Sequence, residues 1–288
     1  MAITQEAVSE AEAAPAGQRL EEPSGIAVVW GSIKTWILPA VGLAATIAVW
    51  QGVVMAFSIP AWKLPAPSAI AVELVASRAL YWKHMWVTLS EVFLGFGFAL
   101  AVGLTLALLV AYFRTFQRVV YPFIIASQTI PIIVVAPLLL IWVGYGITPK
   151  IIVVVLIAFF PIVVNAVDGL RSVDADMVNM MRTLGASRWQ VFTKLQVPTS
   201  LPFMFSGIKI GISVSVIAAV IGEWVGASAG LGYLITYSQP LFLTARVFAA
   251  IVVLSVMGMT LFGLAALAER LLLPWYHTEK QAKALGRE

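Results

Sequence analysis

Few residues in this chain are of a type that could do bond-making chemistry, and their spacing argues against it. The two histidines, His84 and His277, stand far apart, and cysteine is absent. No histidine cluster, thiolate metal site or disulfide framework is therefore available. A membrane enzyme would need acids, bases or metal ligands converging on one face, and the sequence offers no such set. No catalytic residue, metal site or cofactor is expected. Gly226, Gly230 and Gly232 in "VIGEWVGASAGLGYL" superficially resemble a phosphate-binding loop. No strand is predicted before them and no GK[ST] follows, so they are expected to let the chain turn or re-enter.

Three acidic residues fall within or at the ends of apolar runs: Glu91 in "TLSEVFLGF", Glu223, and Glu269 beside Arg270. A carboxylate in or near lipid is costly and usually faces a partner or a cavity. Glu223 has two readings, a pathway-lining group or an interfacial group that is hydrated or paired with Lys150 or Arg246. Glu269 is expected to pair with Arg270, and Glu91 has no partner that the sequence names. Ser127, Gln128, Asn165, Ser213 and Ser215 are the other polar groups that could line a path, against the simpler alternative of a hydrogen bond within the helix bundle. Gly207 and Gly211 are spaced for close helix approach, and Lys209 between them can snorkel towards an interface.

The elements that must position these residues are membrane helices. Of 288 residues, 61% are hydrophobic and 11% charged, and the mean hydropathy is +0.96, far from an ordinary soluble domain. The basic residues are spread between apolar runs and form no single patch, which argues against nucleic acid. A bilayer core of about 30 Å needs about 20 apolar residues as helix. The expected fold class is an all-α polytopic membrane protein with six spans: 36–57, about 86–112, 119–142, 151–167, 201–222 and 247–273. Residues 1–35, rich in Ala and Glu, are expected to be a disordered tail, and 274–288 a second polar tail. "SIPAWKLPAPSAI", with Pro60, Pro65 and Pro67, is expected to be an extended loop. Placing the N-terminus inside puts twelve Lys and Arg residues on the cytoplasmic side and five on the other, so both termini are expected to be cytoplasmic.

The same orientation makes the polar segment from Arg171 to Pro198 the longest cytoplasmic loop. Met177, Met180, Met181 and Leu184 fall at i, i+3, i+4 and i+7, one apolar stripe on a short helix. Asp174 or Asp176 can cap its start, and Gly185 suits its exit. Trp189, Phe192 and Leu195 then mark a second amphipathic turn, which Pro198 ends. The stripe either docks into a groove on a partner, for which methionine is adaptable, or lies against this protein's own helices or the membrane surface.

"RTLGASRWQVFTKLQVPTSLPFMFSGIKI" resembles the cytoplasmic loop of permease subunits of ATP-binding-cassette importers that use a separate substrate-binding protein. The resemblance extends over residues 82–273. Gly185, Ala186 and Pro198 match the family pattern, whereas Asn179, Met180 and Met181 stand where its Glu-Ala-Ala triplet would be. The resemblance implies that the loop is a coupling helix entering a groove on a partner ATPase, with Met177, Met180, Met181 and Leu184 as the apolar key, Gly185 and Ala186 at the joint, Trp189 in the second turn, and Arg182, Arg188 and Lys194 on the rim. It further implies an extracytoplasmic substrate-binding protein and a pathway between two copies of the chain. No nucleotide-binding motif is present, so hydrolysis would belong to the partner. A secondary transporter would instead show internal repeats and ion-coupling charges, and the sequence shows neither clearly. The similarity is strongest to the branch carrying nitrate, sulfonates, taurine, thiamine precursors or riboflavin, with a thiamine pyrimidine precursor as the first expectation.

Overall fold

The computed structural model describes residues 25–276, with side chains from residue 37 onward. Everything described is helix or connection. The elements are α1 (Gly25–Ala56), α2 (Pro67–Ala76), α3 (Arg78–Tyr112), α4 (Arg114–Ser127), α5 (Ile132–Val143), α6 (Thr148–Arg171), α7 (Ala175–Thr183), α8 (Arg188–Val191), a π turn (Phe192–Gln196), α9 (Val197–Trp224), α10 (Leu231–Ser238) and α11 (Thr244–Leu272). The chain divides into two compact units, residues 1–57 and 58–288. Among the described residues five helical stretches are long and apolar enough to cross a membrane, and the bent pair α4 and α5 makes six if it counts as one span. The backbone polar groups of such stretches are satisfied inside each helix, which is what lipid demands.

Several boundaries differ from the sequence expectation, each for a local reason. Residues 1–24 and 277–288, which hold most of the two expected tails, lie outside the described residues, but 25–35 are helical because "GIAVVWGSIKT" continues the apolar run of α1. The proline-rich loop gives way to α2 at Pro67, which occupies the first turn, where its missing N–H costs nothing. The stretch expected as one span over 119–142 is two helices that meet at 98°. Pro131 caps the second of them in an extended conformation, and a proline there lets no helix continue from residue 130. Pro198 does not end the 171–198 segment. The helix runs on through Pro198 and Pro202 to Trp224, and the wider π turn just ahead accommodates the ring that would otherwise crowd the carbonyl four residues back.

The core of the second unit is the packing of α3, α6 and α9. Val92, Val153, Val154, Ile212, Val216, Ala218 and Ala219 form one buried cluster, and Ala107, Val110, Val163, Ala166, Leu170, Phe192 and Met204 form another nearer the α7 end. Small residues set the separation. A Cβ on Gly207 would lie 2.8 Å from the Pro161 carbonyl oxygen and 2.9 Å from the Asn165 Cβ, so α6 and α9 touch at backbone level. Gly207→Val therefore forces the two helices apart. The expected result is a loss of about 1–3 kcal/mol, read as a lowered melting temperature of the purified protein, and an unchanged melting curve would refute this account of the packing.

Candidate functional site

Two groups of polar residues stand out, one at each end of α3. At the α7 end, Asp174 accepts from the Asp176 N–H at 2.8 Å and caps α7. Gly185 leaves α7 at φ +84°, a conformation that favours glycine. Its N–H donates to the Arg182 carbonyl at 2.9 Å and the Ala186 N–H to that of Met181 at 3.0 Å, which closes the helix in a Schellman motif. Ser187 and Gln190 then form a capping box that starts α8. Helix, glycine joint and helix are thus set by short-range rules. Met177, Met180 and Leu184 are exposed, Leu184 by 79%, whereas Met181 and Ala186 are half-buried.

At the opposite end, Glu223 is 1% exposed. It accepts from the Thr88 hydroxyl at 2.6 Å and from the N–H groups of Gly232 at 2.5 Å and Tyr233 at 3.1 Å. Thr88 in turn accepts from the Leu231 N–H at 2.8 Å, and the Nδ1 of His84 accepts from the Gly230 N–H at 2.9 Å. These N–H groups open α10, and a helix start leaves its first donors without partners inside the helix. Here each of the four finds a side-chain acceptor, with an anion at the positive end of the helix dipole. A Cβ on Gly230 would collide with the Glu223 carboxylate, and Gly230 has φ +120°. The glycines of "GASAGLG" thus build a turn folded around a buried carboxylate.

Lys150 pairs with Glu91 at 2.6 Å. Arg246 pairs with Glu73 at 2.9 Å, so both cations considered for Glu223 are engaged elsewhere. Partial burial pushes the Glu73 carboxyl up, but hydrogen bonds from Arg246, Ser77 and Tyr81 together with the Arg246 charge outweigh it and hold the group below the usual carboxylate range. Lys209 pairs with Glu269 at 2.5 Å, which replaces the expected pairing of Glu269 with Arg270. The remaining polar candidates bond within their own helices. Ser127 donates to the Ile124 carbonyl, Asn165 to that of Pro161, Ser213 to that of Lys209 and Ser215 to that of Gly211. Gln128 is exposed and touches Ser127. Ser213 lines a cavity of about 420 Å³ with Ile133, Val220 and Ser255, and the structure does not gather the six candidates into one site. Thr88, and Tyr112, whose carbonyl accepts from Arg188, carry no signal in the sequence. Their partners lie 135 and 76 positions away, and neither residue type is unusual in a span.

Residues 99–273 match the family model described as binding-protein-dependent transport system inner membrane component. The chain belongs to this family of ABC permeases. Among curated relatives, the permease is 39% identical to the formylaminopyrimidine transport permease protein of Halalkalibacterium halodurans, over 74% of this chain and 85% of that one. It is 37% identical to the riboflavin transport system permease protein of Chloroflexus aurantiacus, over 85% of this chain and 93% of that one. It is 29% identical to the taurine transport system permease protein of Escherichia coli, over 81% and 88%. Among solved structures, an inward-facing form of the MetNI methionine ABC transporter shares the fold, with a TM-score of 0.60 at 20% identity over 68% of this permease and 97% of that chain. The protein is thus an ABC importer permease subunit, made for transport.

Proposed function

We propose that this permease is the non-catalytic membrane subunit of an importer in the cytoplasmic membrane, driven by ATP hydrolysis in a separate ATPase. Two copies of the chain enclose the pathway, an extracytoplasmic substrate-binding protein delivers the solute, and both termini and the 172–196 segment face the cytoplasm. The observation that carries this reading is the apolar face of α7. Met177, Met180 and Leu184 are exposed together on a helix closed at both ends by its own caps. An exposed apolar patch rimmed by charge marks a docking surface; Arg182 on the same helix is exposed, as is Lys194 in the π turn. Asn179, Met180 and Met181 in place of the family's acidic-alanine triplet alter the polar contacts, while the apolar key stays.

Leu184→Asp tests the docking. The side chain is 79% exposed, so permease folding should be untouched, while an unpaired carboxylate buried in the groove should cut the co-purified ATPase at least tenfold, or about 1.4 kcal/mol. Recovery of the ATPase at normal stoichiometry would refute the assignment. For the solute, the similarity to the formylaminopyrimidine permease supports a thiamine pyrimidine precursor, and that to the riboflavin permease supports riboflavin as the second reading. Sulfonate, taurine or nitrate is the more remote choice. Ligand-induced melting shifts of the companion binding protein decide between them: a shift with the pyrimidine and none with riboflavin or taurine is expected.

A further inference from the structure

The 172–196 segment is tied to the bundle by the chain itself at both ends, to α6 through Ser172 and to α9 through the π turn. It also has a third attachment. Arg188, the first residue of α8, donates from Nη2 to the backbone carbonyl of Tyr112, the last residue of α3 and 76 positions away. The guanidinium carbon lies 5.0 Å from the centre of the Tyr112 ring. Trp189 and Phe192 meet the same ring edge-on at 5.9 and 5.1 Å. The final carbonyls of a helix lack partners inside it and form the negative end of its dipole. A guanidinium there is favoured by the hydrogen bond and by charge. The capping box at Ser187 fixes the start of α8, and Phe192 is buried, so Arg188 is held from behind.

The other end of α3 holds the turn that starts α10, since His84 and Thr88 take the N–H groups of Gly230 and Leu231. Between His84 and Tyr112 the helix is unbroken, and at 1.5 Å per residue it spans about 42 Å. One helix therefore carries a contact to the 172–196 segment at one end and a contact to the α9–α10 turn at the other.

We infer that Arg188 is a positioning residue that grips the end of α3 and makes this helix a rod, carrying displacement of the docking segment to the α9–α10 turn. The inference rests on the docking reading above. On this reading the Arg188 guanidinium is turned to Tyr112, in place of the rim role that the resemblance implies.

The chain has no cysteine, so Ser228→Cys supplies one thiol in the turn. Ser228 is exposed and lines the cavity at that end with Glu91 and Lys150. The assembled transporter in nanodiscs is labelled with a membrane-impermeant maleimide, without nucleotide and after trapping with ATP and vanadate. With Arg188 present, trapping should change the labelling rate by about fivefold or more, the low end of coupling between distant sites. Arg188→Ala should keep the ATPase at wild-type stoichiometry and abolish that change. Arg188→Lys should be intermediate, because an ammonium still reaches the carbonyl but loses the planar stack on Tyr112. A wild-type response in Arg188→Ala would overturn the inference, as would an Arg188 protein whose thiol ignores nucleotide, or loss of the ATPase from Arg188→Ala alone. If Arg188→Ala fails to accumulate, Arg188→Lys decides, and a labelling change equal to wild type then overturns it. Absence of the ATPase from the Arg188-containing complex would instead sink the docking reading.

Discussion

Lys150→Met should destabilise the folded permease by about 3–5 kcal/mol, the usual cost of removing one partner from a buried ion pair. The Glu91 side chain is 1% exposed and that of Lys150 11%. One Glu91 oxygen accepts from Lys150 at 2.6 Å, and the other, Oε2, is buried without a hydrogen-bond partner. Lys150 is the only cation the structure places on this carboxylate among the described residues. Without it Glu91 keeps no counter-ion among the described residues, and only water from the cavity that both residues line can solvate its charge. The double variant Glu91→Leu, Lys150→Met removes both charges and should recover most of the loss, since replacing a buried pair by apolar groups of similar volume is often neutral or better. The four proteins form a double-mutant cycle in thermal melts at constant detergent. A Lys150→Met protein that melts within about 1 kcal/mol of wild type would remove the pair from the list of what holds α3 against α6.

The contrast between what the sequence tells and what it hides follows from the range of each interaction. Apolar runs, the stripe at 177, 180, 181 and 184, the Asp174 cap and the exit at Gly185 all depend on residues within about one or two helical turns, and periodicity and caps report such neighbours. The contact at Gly207 is legible in the same way, as a small residue repeated four positions on. Partner choice is another matter. Glu91 meets Lys150 across 59 positions, Lys209 meets Glu269 across 60 and Thr88 meets Glu223 across 135. Arg270 is adjacent to Glu269 in sequence, but neighbours on a helix point in different directions. The break at Pro131 lies in between: Pro122, Pro131 and Pro137 mark the stretch as disturbed, while the 98° bend depends on how α5 packs on α6 and α9, which pattern alone does not give. The two readings of Glu223 could not be separated either, because counting along α9 places the residue near its far end without showing that the chain folds back over it.

That fold-back makes Glu223→Ala the second large effect expected. The substitution strips the acceptor from the Thr88 hydroxyl and from the N–H groups of Gly232 and Tyr233. Each buried donor left unsatisfied costs about 1–3 kcal/mol, so a total of about 3 kcal/mol or more is expected, softened if water enters the vacated space. The damage should concentrate where the carboxylate acts. Amide exchange should accelerate over residues 230–238, with α3 and α6 keeping their protection, because the start of α10 loses the anion that neutralises its dipole. Glu223→Gln separates cap from charge. The amide keeps one acceptor oxygen for the N–H groups, and its NH2 has to face the donor Thr88 hydroxyl, so an intermediate loss is expected. If Glu223 acts only through the turn, transport by these variants should follow the protection of residues 230–238 in order, with Gln between wild type and Ala. A Gln variant with wild-type protection and no transport would show that the negative charge itself serves the solute. Unaltered exchange in Glu223→Ala would mean that the α10 turn stands without the carboxylate.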